Sequence, residues 1–519
     1  MNAQSSDVDH EQAASIARSL VGLLESARVA LHSGPPSAVT QRISGHLGVD
    51  ARTATVVSHQ WHTWEHLSVH RGVSAYLADA SPLADWFGLP GTNMRAHTDL
   101  ATLLQMDPTS QLSSADYLLL ACGPDATEEA VSFGLIGTVA PDGTPVVLAL
   151  REVQLNGPPQ IVVEVLAEHR AAASQLLERL QDLVAEHDAL RGQVLSFSVS
   201  EHMGNQLVKF LPRPAVAAKD VILPPDVLPT IEKHVAGPAE QTARLRALGI
   251  HLKRGLLLHG PPGTGKTHTV RYLMGRLAGS TVVVLTGNSL MFIDQAAALA
   301  RRLAPSIVVV EDVDLIAQDR SFSPTGNPLL FSLLDAMDGV AADADVTFVL
   351  TTNRAAVLEQ ALTQRPGRID LAVEIPRPAD DGRRRLIELY SGGAIVSADL
   401  APVVASTDGA TASAIKELLR RAVLRAIDRD PGADPPVLDD AVLAAVVADF
   451  TSEAQALSRA LLGGGSDGST GSGDMAAGFD GTGEMGEGFP GDGFRRRVSE
   501  NRSPGDARVR TRDEGSTVR

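Results

Sequence analysis

Along residues 11–31, EQAASIARSLVGLLESARVAL, apolar positions recur every three to four residues, the spacing of one helix face. SGPPS breaks the run, and shorter helical pieces follow. Residues 1–110 therefore read as a helical region. From residue 116 the pattern changes. YLLLACG, FGLIGTVA, TPVVLALREV and QIVVEVL are strand-sized runs separated by PDAT, PDG and NGPP turns. A helix, EHRAAASQLLERLQDLVAEH, follows, and then RGQVLSFSVSE and QLVKFLPRP, again strand-like. Residues 111–215 read as a small α+β domain suited to recruiting a partner or substrate.

After the linker KDVILPPDVLPTIEKHV, strands and helices alternate. GLLLHG, VVVLTG, SIVVVED, VTFVLTTN and LAVEIP are the strands. Such alternation predicts an α/β fold with a parallel sheet and helices on both faces, over residues 216–378. Residues 379–462 carry helical patterns only and read as a helical lid. Beyond Leu462 the chain is Gly-rich and acidic, then basic. Residues 463–519 bury too little apolar surface to fold, and the expectation is a disordered tail.

Composition narrows the function classes. The chain has 519 residues, 44% of them hydrophobic, so a sizeable core can be buried. A net charge of -17 weighs against general nucleic-acid or anionic-membrane binding. The single cysteine, Cys122, rules out an intrachain disulfide and a Cys-based metal site, and fits a reducing cytosol. The N-terminus is polar and acidic, unlike a signal peptide, and no apolar run is long enough to span a membrane. A cytoplasmic protein is expected.

The strongest chemical signal is GPPGTGKT at residues 260–267. It fits Gly-x-x-x-x-Gly-Lys-Thr and lies between a strand and a helix, the context a phosphate-binding loop requires. Its glycines let the backbone wrap phosphates, and the helix N-terminus points amides at the anion. Gly260, Pro261, Pro262, Gly263, Thr264, Gly265, Lys266, Thr267 and His268 are the expected nucleotide-binding residues. Lys266 reaches the β- and γ-phosphates of ATP, and Thr267 supplies a ligand to Mg²⁺. The second signal is IVVVEDVD at 307–314, where β-branched residues build a strand that ends in acids. At the C-terminal end of a parallel strand, one carboxylate serves the metal and the next polarises the attacking water.

A third string, HTWEH at 62–66, fits the His-x-x-Glu-His pattern of one class of zinc protease, with His59 and His70 nearby. No third ligand is identifiable. A packed structural helix with its histidines satisfied is the expected reading, and a metalloprotease the remote alternative.

Together, residues 220–462 resemble an ATPase module of the AAA superfamily. VTFVLTTNR resembles the strand ending in the sensor-1 asparagine, here Asn353, and ALTQRPGRID the arginine-finger segment, with Arg365 and Arg368. LLDAMDGV resembles the helix end that signals between subunits, with Asp338 and Gly339. TDGATASAIKELLRRA resembles the lid helix that contacts nucleotide. The resemblance implies a ring, usually a hexamer, in which Arg365 and Arg368 reach the neighbour's nucleotide and Asn353 orients the lytic water or senses the γ-phosphate.

Three departures stand out. The acidic pair runs Glu311-Asp312 instead of Asp-Glu, which leaves Glu311 on the metal side and Asp312, one methylene shorter, to activate water. Ala412-Ser413-Ala414 replaces the frequent Gly-Ala-Asp. The segment that in many unfoldases grips substrate reads NSLMFID, with Met291, Phe292 and Ile293; Phe292 either grips a threaded chain or packs in the core. Membrane-type AAA proteases carry His-Glu-x-x-His after the module, and nothing after Asp380 resembles that. The closing STVR is not the hydrophobic-Tyr-x tail of proteasome-feeding members, and their long N-terminal coiled coil is missing, so the sequence gives no support for proteasome docking. The resemblance implies an ATP-hydrolysing protein remodeller or unfoldase that takes its substrate or adaptor through residues 1–215. The alternative is a slow-turnover, nucleotide-dependent scaffold.

Overall fold

The computed structural model describes residues 19, 22 and 36–461, except 91–92, 107–110, 155–158, 199–207, 315–327 and 355–367. The expected tail, and the helix over 11–31 apart from positions 19 and 22, lie outside the described residues. Contacts divide the chain into Met1–Ala456 and Leu457–Arg519. The following concerns the first unit.

Its N-terminal part is built on an antiparallel sheet. After helix α1 (Ala38–Leu47) come β1 (Thr55–His62) and α2 (His66–Ala80), then β2 (Phe87–Gly88), β3 (Ser113–Ser114), β4 (Asp116–Ala121), β5 (Thr127–Val139), β6 (Pro145–Val153) and β7 (Gln160–Ala167), and finally helix α3 (Arg170–Glu186). The strand order is β1-β7-β6-β5-β2-β3, with β4 also paired to β5. Alternate residues of β6 face opposite layers. Val146, Leu148 and Leu150 pack with Val69 and Val73 of α2 and Leu176 and Leu180 of α3. Val147 and Ala149 pack with Val39 and Ile43 of α1. Helices cover both faces, which is why these strands read as near-continuous apolar runs.

Two expectations need correction. Residues 1–110 are not a helical region separate from 111–215. β1 pairs antiparallel with β7, from Thr55 opposite Ala167 to His62 opposite Gln160, so both stretches share one sheet. The strand TVVSHQWH carries polar residues on its more exposed positions, which hides its period of two. Nor does the α+β part extend to residue 215. β8 (Val194–Phe197) pairs in parallel with a strand of the next sheet, and β9 (Val208–Leu211) pairs antiparallel with β8. Val194 joins the core on one face of that sheet, and Leu195 and Phe197 the core on the other. Strand propensity marks such segments but does not say which sheet they enter.

The second sheet continues through α4 (Val227–Glu240), β10 (Arg254–His259), α5 (Lys266–Arg276), β11 (Thr281–Leu285), α6 (Ile293–Arg302), β12 (Ser306–Val310), α7 (Pro328–Asp338), β13 (Val346–Thr352) and β14 (Leu371–Glu374). Its order is β14-β10-β13-β12-β11-β8-β9, parallel throughout except for β9. This is the expected α/β layer with helices on both faces, extended by two strands. A helical lid follows: α8 (Asp380–Tyr390), α9 (Leu400–Ser406), α10 (Ala412–Arg429) and α11 (Asp440–Leu461). Leu386, Ile387, Val403, Ile415, Leu419 and Leu443 form its own core. Among the described residues no helix is long and apolar enough to cross a membrane.

Candidate nucleotide site

β10, β12 and β13 are neighbours in the sheet, so the loops at their C-terminal ends meet. Brought together there are the phosphate-binding loop, the acidic pair and Asn353. The loop needs glycine for two reasons. A Cβ on Gly260 would stand 2.2 Å from the Ile375 carbonyl oxygen. Gly265 has φ of 111°, and it directly precedes α5.

Lys266 opens α5. Its ammonium donates to the carbonyl oxygens of Gly260 (2.8 Å) and Pro261 (2.9 Å) and to Oδ1 of Asn353 (2.8 Å). Burial pulls its pKa down, opposed by the charges of Asp312 and Asp314. Thr264 is buried and donates to the Pro261 carbonyl at 3.0 Å. His268 pairs through Nε2 with the Asp220 carbonyl at 3.2 Å.

The two acids differ in setting. Glu311 is half-buried and hydrogen-bonded to the Thr267 hydroxyl; burial raises its pKa, that bond lowers it, and the adjacent Asp312 raises it. Asp312 is exposed in the cleft, with φ of 52°. A left-handed backbone is uncommon for any residue but glycine, and aspartate tolerates it better than most. Its N–H donates to Thr351 Oγ1 (3.0 Å), and its Oδ1 lies 3.4 Å from Nδ2 of Asn353. Asn353 thus bridges Lys266 and Asp312.

The lid closes the cleft from the other side. The Ser413 N–H donates to the Gly263 carbonyl at 3.1 Å, tying the start of α10 to the loop. A cavity of about 440 Å³ opens between Lys266, Asp312 and Asn353 on the core and Tyr390, Ser413 and Lys416 on the lid. Tyr390, Lys416 and Arg271, which also lines this cavity, were not singled out by sequence. Lys416 lies within the quoted lid-helix string TDGATASAIKELLRRA but was not named in it, and Tyr390 gave no motif signal, because its place depends on how the lid folds back.

The remaining candidates lie elsewhere. Arg365 lies outside the described residues. Arg368 is 3% exposed and makes a two-pronged pair with Asp338, Nε to Oδ1 at 3.0 Å and Nη2 to Oδ2 at 2.5 Å. It is not among the residues that line the cavity at the phosphate loop. Phe292 is partly buried and stacks on Phe197, centroids 5.4 Å apart, while the adjacent Met291 is 59% exposed.

HTWEH does not lie on one helix, contrary to expectation. His59 and His62 belong to β1, residues 63–65 form a short 3-10 turn, and His66 begins α2. His62 stacks on Trp64, centroids 4.0 Å apart, and His66 Nε2 bonds to the Val131 carbonyl at 2.8 Å. Glu65 is paired with Arg302 of α6. A helical spacing rule could not hold across the strand–helix junction. Among the described residues no three His, Cys, Asp or Glu side chains group as metal ligands.

Comparison with known proteins agrees with this geometry. The family model of the ATPase family associated with various cellular activities (AAA) matches residues 256–377. Proteasome-activating nucleotidase of Methanosphaerula palustris is 32% identical over 215 residues, covering 38% of this chain and 52% of the relative. Proteasome-activating nucleotidase 2 of Halobacterium salinarum is 30% identical over 290 residues, covering 51% of this chain and 68% of the relative. The 26S proteasome regulatory subunit 6B homolog of Saccharomyces cerevisiae is 34% identical over 220 residues, covering 38% and 50%. The chain spans about half the length of the first and third of these relatives and about two thirds of the second. With the GPPGTGKT loop, the acidic strand end and Asn353 gathered at the C-terminal ends of neighbouring strands under a helical lid, the chain belongs to the AAA family of ATPases.

Proposed function

We propose that the chain binds and hydrolyses ATP and works as a ring, a hexamer as is usual in its family, to remodel protein substrates in the cytoplasm. The observation that carries the reading is the convergence of Lys266, Asn353 and Asp312 within hydrogen-bonding reach beside the phosphate loop. Lys266 contacts the β- and γ-phosphates, Asn353 orients the lytic water, and Asp312 polarises it. Thr267 and Glu311 are adjacent oxygen donors, the hard set that Mg²⁺ takes, and would hold it. Bound there, the ion would neutralise charge on the phosphates. Arg365 and Arg368 act on the neighbour's nucleotide, so Arg368 must leave Asp338 as the ring forms. The antiparallel-sheet part recruits the substrate or adaptor.

A second reading, the slow nucleotide-dependent scaffold, is favoured by one observation: Phe292 packs on Phe197 instead of standing free to grip a chain. The experiment that separates them is steady-state ATPase rate against protein concentration, with mass photometry on the same samples. Turnover rising with a hexamer-sized species supports the motor. Nucleotide binding with negligible turnover at every concentration supports the scaffold.

A further inference from the structure

Asp314 has no part in the scheme above, yet it is a carboxylate only 5% exposed, two residues beyond Asp312. Its Oδ1 accepts the Thr352 hydroxyl at 3.1 Å and the Asn353 backbone N–H at 3.0 Å. Thr352 Oγ1 in turn accepts the Arg354 N–H at 3.0 Å. The backbone turn that carries Asn353 out of β13 is therefore tied on both sides of the asparagine, and the tie originates on the segment that carries the acidic pair. Thr351 adds a link in the opposite direction by accepting the Asp312 N–H. The ends of β12 and β13 are thus cross-bonded twice, once through each strand's side chains. The beneficiary is the Asn353 amide, whose Oδ1 meets Lys266 and whose Nδ2 faces Asp312.

We propose that Asp314 is a positioning residue for hydrolysis: it fixes the Asn353 turn so that the amide stands between Lys266 and Asp312. The proposal rests on the ATP-hydrolysis reading and deepens it by naming what holds the sensor residue in register. A buried carboxylate is costly to keep ionised, so it persists where its hydrogen bonds are satisfied and a specific geometry depends on them. Asp314 acts through Asn353 and does not touch the reacting atoms.

The test uses the full chain with Asp314→Ala, Asp314→Asn, Asn353→Ala and the Asp314→Ala/Asn353→Ala double variant. Turnover is measured with saturating Mg-ATP, and affinity with a fluorescent ATP analogue. Loss of the acceptor lets the amide drift, and displacements of this order cost about tenfold or more in rate. Expected is that fall in kcat for Asp314→Ala with nucleotide affinity little changed. Asp314→Asn, which keeps an acceptor oxygen, recovers most of the rate. The double variant is no slower than Asn353→Ala alone, because both changes remove one function. Additive losses, or an Asp314→Ala loss shared equally between affinity and turnover, overturn the proposal while wild-type turnover stands. A wild-type chain with no turnover overturns the hydrolysis reading and the proposal with it.

Discussion

In the proposed scheme Lys266 and Asp312 divide the work of the candidate site, and substitution should separate them. Lys266 contributes a half-desolvated ammonium, already held by two loop carbonyls and Asn353. Lys266→Ala should therefore abolish ATP binding, read by a fluorescent analogue or calorimetry. Asp312 faces the cleft from the acidic strand end, its Oδ1 3.4 Å from Nδ2 of Asn353. Asp312→Asn should leave binding intact and reduce turnover by about a hundredfold or more, the contribution of a positioned general base. Turnover near wild type in Asp312→Asn would move the base to Glu311. At this scale much of the site was legible, because the loop, the acids and Asn353 each sit in short strings that carry their own chemistry. What was not legible is the wiring between them. Asp314 lay within the quoted IVVVEDVD, but its bond to the Asn353 turn depends on β12 and β13 being neighbours, which no local string encodes.

Among the elements, the segment between β11 and α6 is the one whose role changes most. Phe292 sits in an aromatic run, Trp64 to Phe197 (6.0 Å) to Phe292 (5.4 Å), that crosses from the N-terminal sheet to the core. Met291, next to it, is exposed. Phe292→Ala should lower stability by about 2 kcal/mol, since a partly buried ring loses less than a fully buried one. Met291→Ala should leave the melting temperature unchanged and, if this segment grips substrate, slow remodelling without slowing ATP turnover. A stable Phe292→Ala chain that loses remodelling alone would return the gripping role to Phe292. The elements that sequence misassigned, β1 and β8, fail for related reasons. β1 alternates with histidine, serine and glutamine at its exposed positions, so helical and strand periods compete. β8 is a plain strand whose partner, β11, lies more than eighty residues away.

Helix α2 adds a pH dependence. Burial holds the His66 and His70 pKa values below the ordinary 6.5, and His70 Nδ1 accepts the Val131 N–H at 3.4 Å only while unprotonated. For a base with a depressed folded pKa, stability is fully present above the unfolded value and is lost as pH falls through the folded one. The melting temperature should drop between pH 7.5 and 5.5, and the drop should shrink in His66→Gln. Asp188, whose pKa burial raises, works in the opposite direction, so the comparison between variants is the informative one. An unchanged pH slope in His66→Gln would remove His66 from the account.

At the scale of the whole molecule, Arg302 links the N-terminal part to the ATPase core. From α6 of the ATPase core it pairs with Glu65, at the strand–helix junction of the N-terminal part, and with Asp188 at 3.1 Å. Both acids are buried and otherwise well bonded. Glu65 accepts the His62 N–H (2.9 Å), and Asp188 accepts the Ser68 hydroxyl (2.8 Å) and the Leu190 N–H (3.0 Å). HTWEH thus supplies a docking carboxylate, and its glutamate is engaged where a metalloprotease would need it free. Arg302→Ala leaves two buried carboxylates without their cation, a loss of about 3–5 kcal/mol for a pair broken on one side. The strain is expected at the contact between the two sheets more than within either. Limited proteolysis should cut near residues 187–193 sooner in Arg302→Ala than in the wild type, while the N-terminal sheet itself resists. Arg302→Met should soften the loss only slightly, because it restores volume but not charge, whereas Arg302→Ala with Glu65→Gln and Asp188→Asn should recover much of it. If Arg302→Ala leaves both the melting curve and the cleavage rate unchanged, the ion cluster does not hold the two parts together, and the load falls to the aromatic run through Phe197 and to the bonds from Arg191 to the Ala304 carbonyl (3.1 Å) and from the Gly192 N–H to Thr281 Oγ1 (2.9 Å).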